Sequence, residues 1–274
     1  MTFATPVDGL VAARYGDSDD SAYPVPANET VALLYRHRSV RSFTDAPVDE
    51  HTVSTLIAAG QSAATSSNLQ SWSVIEVRDP AHKDRIALLS GDQDFIRQAP
   101  VFLVFVADWA RNRLIAERQE ARTAGIDFME TTLVAFVDAA LAAQNTVIAA
   151  ESLGLGTVYV GAVRNHAEEL SGVLELPPGA FPVVGLAVGH PDPTAPGGIK
   201  PRLPQDVVRH RERYTRPSEE SVAKYDATLS AYYESQGEPR GWISTVLQRV
   251  RDRASLHGRD RMRDALGRRG LPSR

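Results

Sequence analysis

The sequence predicts an α+β or α/β protein whose sheet is largely covered by helices, and three features of the chain indicate this class. Segments with strand character alternate with segments of helical periodicity. Residues 101–107 form a nearly continuous apolar run, which is typical of a central strand buried on both faces. Residues 131–153 are apolar nearly all round a helical projection, which predicts a deeply buried helix.

The individual elements are predicted from their end signals. Residues 1–28 are rich in Asp, Ser, Pro and Ala, which predicts an irregular arm. Asn28 is expected to cap a first helix, and Asp49 is expected to start a second one. Strands are predicted over residues 73–77, 101–107, 158–163 and 183–188. Gly154 closes the long helix, and further helices are predicted over residues 219–235 and 242–267.

These elements predict a single domain with an arm and a C-terminal extension. The arm covers residues 1–28 and the core covers residues 29–205. Residues 206–274 are predicted to form a helical excursion and a basic tail that belong to the same domain.

The composition excludes several classes of function. The chain has 274 residues and no cysteine, which excludes disulfides, thiolate metal sites and cysteine nucleophiles and fits a cytoplasmic location. The first ten residues lack the basic start and apolar stretch of a secretory signal, and no uninterrupted apolar run is long enough to span a bilayer. The formal charge of −4 argues against general affinity for nucleic acid. We therefore expect neither nucleic acid nor membrane as a partner.

The charge is unevenly distributed along the chain. Residues 240–274 contain ten arginines and three aspartates, so this tail carries +7 and the remainder −11. Such a tail can bind nucleic acid, a membrane or an anionic cofactor. Apolar residues interrupt the arginines at helix-like spacing, which favours an amphipathic helix that docks on the acidic body or on a partner subunit.

Two small cationic clusters lie more than 150 positions apart in the sequence. The first contains His37, Arg38, Ser39 and Arg41, and the second contains Lys200 and Arg202. Cations are costly to hold near a core unless an anion neutralises them, so two converging clusters suggest a phosphate-bearing ligand. Each cluster taken alone is also compatible with a solvated surface turn.

Further motifs follow in a fixed order between and beside these clusters. They are residues 65–72 (TSSNLQSW), 91–93 (GDQ), 151–156 (ESLGLG), 158–165 (VYVGAVRN) and 200–204 (KPRLP). In this order and spacing, residues 31–233 resemble the nitroreductase superfamily of FMN proteins. Within it the chain is most similar to the oxygen-insensitive NADPH nitroreductases and the flavin reductase P group.

The resemblance implies a fold and an assembly. We expect an α+β fold with a central mixed sheet flanked by helices. Helical excursions are expected to wrap a second subunit in a domain-swapped homodimer, with FMN at the dimer interface. A helix as apolar as residues 131–153 is compatible with that interface, although a monomer core would explain it equally well.

The resemblance also implies which residues bind the flavin. His37, Arg38, Ser39, Lys200 and Arg202 would hold the phosphate and the nearby ribityl chain, and Arg41 would supply a cation beside the ring edge that gains charge on reduction. The ring would be contacted by Ser66, Ser67, Leu69, Gln93, Tyr159, Val160, Gly161 and Asn165. Simpler interpretations remain for several of these residues: Ser66 and Ser67 as turn formers, Gly161 as a strand bulge, Tyr159 as core and Asn165 as a helix cap.

No side chain is expected to act as a catalytic acid, base, nucleophile or metal ligand. Gly154 and Gly156 follow a helix instead of a strand and lack the third glycine of a dinucleotide turn. Asp138 and Glu151 are too isolated in the sequence to form a carboxylate pair. The flavin would therefore carry the chemistry, and the protein would orient it and tune its potential.

The expected reaction follows from the resemblance. NADPH or NADH would deliver hydride to flavin N5, and a small-molecule acceptor, such as a nitroaromatic, a quinone or free flavin, would then occupy the same face in a ping-pong cycle. The alternatives are a flavin reductase that supplies reduced FMN to a partner and a flavin-binding sensor without turnover. Gln236 stands where relatives carry an arginine associated with NADPH phosphate recognition, so the preference between the two donors stays open. Asn68 likewise replaces an apolar residue of the ring pocket.

Overall fold

A computed structural model describes residues 8–15, 28–195 and 197–274 of the chain. The chain divides into two compact units. The helical unit is drawn from Met1–Arg38 and Thr194–Ser255, and the sheet unit is drawn from Ser39–Pro193 and Leu256–Arg274. These boundaries differ from the predicted divisions at residues 28 and 205.

The elements of the helical unit are helices throughout the residues described. They are α1 (Asp8–Tyr15), α2 (Glu29–Arg36), α9 (Gln205–Val208), α10 (Glu219–Ser235) and α11 (Trp242–Arg249), with a 3₁₀ turn at Ala254–Leu256. The sheet unit contains α3 (Glu50–Gln61), β1 (Trp72–Val77), α4 (Pro80–Leu89), α5 (Asp94–Gln98), β2 (Val101–Asp108), α6 (Ala110–Arg118), α7 (Met129–Ser152), β3 (Gly156–Val160), α8 (Ala167–Val173), β4 (Ala180–Gly189) and α12 (Met262–Arg268). Its 3₁₀ turns lie at Ser66–Asn68, Ala124–Asp127, Gly161–Arg164 and Arg259–Arg261.

The sheet has four strands in the order β1-β2-β4-β3, and neighbouring strands pair antiparallel. The expected mixed character is confined, among the residues described, to a parallel bridge between Ser39 and Thr157 at the β3 edge. There the Val40 amide donates to the Thr157 carbonyl at 2.8 Å. β2 is buried over residues 101–107, as its continuous apolar run predicts. The α+β class is confirmed.

Helix α7 covers one face of this sheet with small side chains. Its buried residues are Thr132, Ala135, Asp138, Ala139, Ala142, Ala143, Thr146, Val147 and Ala150. Alanines let the helix axis approach its neighbours closely, and glycine does the same on α3. A Cβ placed on Gly60 of α3 would lie 2.8 Å from the Thr146 hydroxyl and 3.2 Å from the Ala142 carbonyl oxygen.

One row of large apolar side chains on α7 faces away from the core. Leu133, Val137 and Leu141 follow one another at four-residue spacing and are 53%, 55% and 42% exposed. The helix is also long and apolar enough, by length and composition, to cross a membrane, with a mean hydropathy of 1.6. Core helices of globular proteins pass the same test, and 44% of the apolar window is buried within the protein.

The predicted caps and several elements are confirmed. The Asn28 side chain accepts from the Val31 amide at 2.9 Å, and the Asp49 carboxylate accepts from the Thr52 amide at 2.8 Å. Helix α10 has the predicted bounds, and β1, β2, β4 and α7 begin and end within three residues of theirs.

Three predictions about elements need correction. Eight residues of the predicted irregular arm form α1, because Val11 is buried against Tyr15 and Tyr35; residues 1–7 and 16–27 lie outside the described residues. The predicted strand over residues 158–163 ends at Val160 and continues as a 3₁₀ turn. The predicted helix over residues 242–267 is interrupted between α11 and α12, where His257 and Gly258 have φ of 51° and 88°.

The close contact between α3 and α7 leads to a prediction about packing. Ala142→Leu should lower the free energy of unfolding by about 1–3 kcal/mol, because three further carbon atoms have no space beside Gly60. Chemical denaturation measures this change. Ala227→Leu, at an exposed position of α10, is the matched control and should be nearly neutral. Equal effects of the two substitutions would contradict this account of the interface.

Candidate functional site

A buried arginine joins the two predicted cationic clusters within the helical unit. Arg14 is 5% exposed and donates three hydrogen bonds from its guanidinium to backbone carbonyls. The acceptors are Tyr35 at 3.1 Å, Lys200 at 2.8 Å and His37. In return, the Arg202 amide donates to the Arg14 carbonyl at 2.7 Å. His37 and the Lys200–Arg202 segment are therefore held on the same buried guanidinium, although the sequence separates them widely.

Two glycines, at positions 197 and 198, let side chains lie close to the backbone beside this cluster. A Cβ on Gly197 would lie 2.5 Å from Nη1 of Arg38, so the guanidinium lies directly against the backbone of this segment. The Tyr232 hydroxyl donates to the Gly198 carbonyl at 3.2 Å and fixes the same segment to α10. Arg38 therefore belongs to the cluster formed by His37, Lys200 and Arg202.

A tyrosine adds an acidic hydroxyl next to these cations. Burial opposes ionisation of Tyr233, but hydrogen bonds and charge from Lys200 and Arg240 lower its pKa below the ordinary value. The Lys200 ammonium lies 5.2 Å from the Tyr233 ring centroid, and the Arg240 guanidinium lies 4.0 Å from it. Arg240 also pairs with Glu238 at 3.2 Å. The helical unit thus concentrates positive charge around residues 37–38, 200–202 and 240.

Ser39 and Arg41 begin the sheet unit and point outward. The chain alternates here, with Val40 and Phe43 buried and Ser39 and Arg41 exposed. A Cβ on Gly156 would lie 2.8 Å from the Val40 side chain, so this segment lies tightly against the start of β3. Arg41 therefore presents a solvent-accessible cation from a firmly held backbone.

The loop that carries Ser66, Ser67 and Leu69 has an unusual backbone. Ser67, Asn68 and Gln70 have φ of 48°, 55° and 50°, which is the left-handed region. Each non-glycine residue there costs roughly 1–2 kcal/mol. The interpretation of Ser66 and Ser67 as ordinary turn formers is therefore incomplete, because strain of this kind persists only where surrounding contacts impose it. Leu69 is 40% exposed on the outer side of the loop.

Gln93 lies in a turn that is fixed by an arginine. Gly91 and Asp92 have φ of 80° and 52°, and Nε2 of the Gln93 side chain donates to the Ser90 carbonyl at 2.6 Å. Arg97 holds this turn through Asp92 at 2.5 Å and also pairs with two other aspartates of the same region. Arg97 therefore links three carboxylates around this exposed turn.

The segment from Tyr159 to Asn165 departs from three simpler interpretations. Tyr159 is 37% exposed, so it is not ordinary core, and its hydroxyl donates to the Gln144 side chain at 3.3 Å. Gly161 opens the 3₁₀ turn after β3 and does not form a strand bulge. Asn165 does not cap α8, whose N-cap is His166.

Asn165 instead faces the Gln93 turn. Its side-chain nitrogen would lie 3.7 Å from a Cβ on Gly91. Its side-chain oxygen is buried and has no hydrogen-bond partner among the residues described. An orphaned acceptor of this kind is costly unless a ligand or water supplies a donor. Asn165, Arg164 and Arg261 line a cavity of about 270 Å³ in the sheet unit.

The structure distributes the predicted residues over the two units. The helical unit brings together His37, Arg38, Lys200 and Arg202, while the sheet unit holds Ser39, Arg41, Ser66, Ser67, Leu69, Gln93, Tyr159, Val160, Gly161 and Asn165. Within the sheet unit, Gln93 and Asn165 lie on adjoining segments, and residues 159–161 end β3. Ser66, Ser67 and Leu69 share one loop.

Sequence reasoning missed two residues that organise these groups. Arg14 lies in the segment predicted to be an irregular arm, and only its position beside apolar Val11 could have indicated a buried role. Asp138 was considered only as half of a carboxylate pair. Its signal was its isolation, because a single acid on an otherwise apolar helix must find hydrogen-bond donors if it is buried.

Family models match most of the chain. The model described as Nitroreductase family matches residues 34–190, and the model described as Nitroreductase family, C-terminal domain, matches residues 200–274.

Curated relatives and solved structures agree with these matches. The chain is 36% identical to the FMN reductase (NADPH) of Bacillus subtilis, over 86% of this chain and 97% of that one. It is 39% identical to the oxygen-insensitive NADPH nitroreductase of Salmonella typhimurium, over 76% and 84%. Its structure is similar to NfrA2 of B. megaterium, with a TM-score of 0.84 and 37% identity over 89% and 98% of the two chains. It is also similar to the NADPH:FMN oxidoreductase of Vibrio harveyi complexed with NAD⁺, with a TM-score of 0.80 and 34% identity over 90% and 100%.

Proposed function

The chain belongs to the nitroreductase family, and from this premise we propose that it is an FMN-dependent NAD(P)H oxidoreductase that reduces nitroaromatics, quinones or related acceptors. The observation that carries the proposal in this chain is the Arg14-centred convergence of two cationic segments. Such a cluster suits a phosphate monoester, which is the charged end of FMN. Two curated relatives are named FMN reductase (NADPH) and NADPH-flavin oxidoreductase, which agrees with this cofactor.

The residues present fit FMN at its phosphate end. Within the helical unit, Arg38, Lys200 and Arg202 offer cations and His37 offers a further hydrogen-bonding group to the dianionic phosphate. The Arg14 guanidinium is engaged with backbone carbonyls, so its role is to hold the binding segments and not to contact the phosphate. We infer that these segments are preorganised before the ligand arrives.

The residues of the sheet unit fit the flavin ring. We propose that the ring contacts Ser66, Ser67, Leu69, Gln93, Tyr159, Val160, Gly161 and Asn165. The orphaned oxygen of Asn165 supports this assignment, because a flavin edge carries an N–H donor that could satisfy it. Arg41 is the exposed cation that we assign to the ring edge where negative charge develops.

The chemistry needs little from the protein beyond binding. FMN, when bound, supplies the redox step by accepting hydride from a nicotinamide and passing electrons to the acceptor. The chain's residues orient the cofactor and stabilise its negative charge. An open binding face with few directional groups explains why planar acceptors of several kinds would be accepted.

A second candidate function is a flavin reductase that releases reduced FMN for a partner enzyme. Two curated relatives favour it, since they are named as FMN reductases of Bacillus subtilis. The two functions share the first half of the cycle. They differ in whether free FMN outcompetes nitroaromatics and quinones as the electron acceptor in steady-state competition.

We also infer a homodimer and a cytoplasmic location. The outward face of α7 carries Leu133, Val137 and Leu141, and a second copy of this chain is the occupant that the family suggests. Residues 206–274 would form the excursion that reaches this partner. The absence of cysteine fits a reducing compartment.

The first prediction from the proposed function concerns electron transfer from the donor. Anaerobic addition of NADPH or NADH to the FMN-loaded protein should bleach the oxidised flavin absorbance, and the more effective donor will establish the preference. Gln236→Arg should favour NADPH by about tenfold, the equivalent of one charge-assisted hydrogen bond. Gln248→Arg, which adds the same charge on exposed α11, is the control. A yellow protein that neither donor bleaches would contradict the proposed function and favour a sensor.

The second prediction concerns the phosphate. Wild-type protein should bind FMN more tightly than riboflavin, which lacks the phosphate, when the quenching of flavin fluorescence is measured. Combining Lys200→Met with Arg202→Met should reduce that preference by about 100-fold, because two charge-assisted contacts are lost. Lys224→Met, on the exposed side of α10, should leave it unchanged. An unaltered ratio in the double variant would remove these residues from the phosphate site.

The third prediction concerns assembly. Val137→Lys combined with Leu141→Lys should convert the dimer to a monomer in light scattering, because two buried cations without partners would be introduced. Leu88→Lys, on α4 and 49% exposed, should leave the mass unchanged. A double variant that keeps the mass of the wild type would rule out this face as the interface.

A further inference from the structure

The sheet unit contains a buried carboxylate with no assigned role. Asp138 is 2% exposed and lies on α7 between Ala135 and Ala142. No lysine, arginine or histidine pairs with it in the part of the chain that the structure describes. A buried charge without a counter-ion persists only if hydrogen bonds replace its hydration.

Among the residues that the structure describes, one loop donates all of the hydrogen bonds to this carboxylate. Oδ1 accepts from the Ser66 amide at 3.1 Å. Oδ2 accepts from the Thr65 hydroxyl at 2.6 Å, from the Ser71 amide at 3.1 Å and from the Ser71 hydroxyl at 3.0 Å. The Thr65 hydroxyl also accepts from the Gln70 amide at 3.0 Å, which extends the network to a fourth residue of the loop. The carboxylate therefore accepts hydrogen bonds from both ends of the loop at residues 65–71.

The strained residues lie between these two ends. Ser67, Asn68 and Gln70 occupy the left-handed region, and none of them is glycine. A segment of this kind relaxes unless its flanks are held. The buried Asp138 carboxylate holds the inner side of this loop, while residues 66–69 are exposed to solvent on its outer side.

We propose that Asp138 is a positioning residue that fixes the backbone of residues 66–69 in the shape that receives the flavin ring. This inference rests on the proposed function, because Ser66, Ser67 and Leu69 are the residues assigned to the ring. Asp138 does not touch the cofactor or the reacting atoms. It acts through the loop, and its negative charge is required because four donors converge on two oxygens.

An asparagine at this position would fail in a defined way. Asparagine has a single acceptor oxygen, and its amide nitrogen is a donor. If the oxygen takes the place of Oδ2 and keeps its three donors, the new amide faces the N–H of Ser66, donor against donor. The anchor beside Ser67 is therefore lost while the volume of the side chain is preserved.

The experiment compares four variants with the wild type. Asp138→Asn removes the charge, and Thr65→Val removes the hydroxyl that links Asp138 to Gln70, with Thr65→Ser as the variant that retains it. Thr146→Val is the matched control, because Thr146 is also a buried polar residue of α7 but bonds to the carbonyls of Leu56 and Ala142 and not to the loop. Hydrogen exchange of residues 66–71 in the FMN-free protein, FMN affinity and the rate of flavin reduction by NADPH in a single turnover are measured.

The expected results separate positioning from stability. Asp138→Asn and Thr65→Val should speed loop exchange by at least about tenfold and slow flavin reduction by roughly tenfold to a hundredfold, since small misplacements of reacting groups have effects of that size. Thr65→Ser should restore both, and Thr146→Val should change neither even if its melting temperature falls. The proposal is overturned if Asp138→Asn folds and matches the wild type in exchange and rate, or if Thr146→Val reproduces its defects. Failure of the wild type to be reduced would instead refute the proposed function, and the exchange data would still test the anchor.

Discussion

The close packing of α7 on the sheet is the constraint on which most of the sheet unit depends. Alanines on its inner face let the helix lie near β2, β4 and α3. Gly60 of α3 has no side chain, which allows α3 to lie directly against α7. Leu133, Val137 and Leu141 form an apolar row on the outer face of α7, and Asp138 lies buried beneath the loop at residues 65–71.

Hydrogen bonds to backbone groups, and for Asp138 also to hydroxyls, hold the two buried charged residues that organise the functional segments. Arg14 donates to three carbonyls in the helical unit, and Asp138 accepts from two amides and two hydroxyls in the sheet unit. A charge that bonds to backbone fixes the path of the chain itself, whereas a side-chain ion pair fixes only two flexible ends. Both residues therefore act on the geometry of segments that other residues use for binding.

The two units contribute different chemical groups. The groups gathered in the helical unit are cations, and Tyr233 lies among them with a lowered pKa because Lys200 and Arg240 favour its ionised form. The sheet unit contributes hydroxyls, an amide and close backbone approach. This inventory suits a protein that holds a reactive cofactor and stabilises negative charge on it.

The local sequence determined much of the fold and nominated the site. The caps at Asn28 and Asp49, the continuous apolar strand β2 and the apolar helix α7 follow from propensity, capping and periodicity, which act over a few residues. The order of short motifs indicated the family and the cofactor. Only the tertiary structure showed that Arg14 joins residues 37 and 200, that Asp138 holds residues 65–71, and that α7 turns its small face inward. These are contacts between positions far apart in the chain, and the donors that satisfy a buried charge are chosen by folding, not by neighbouring sequence.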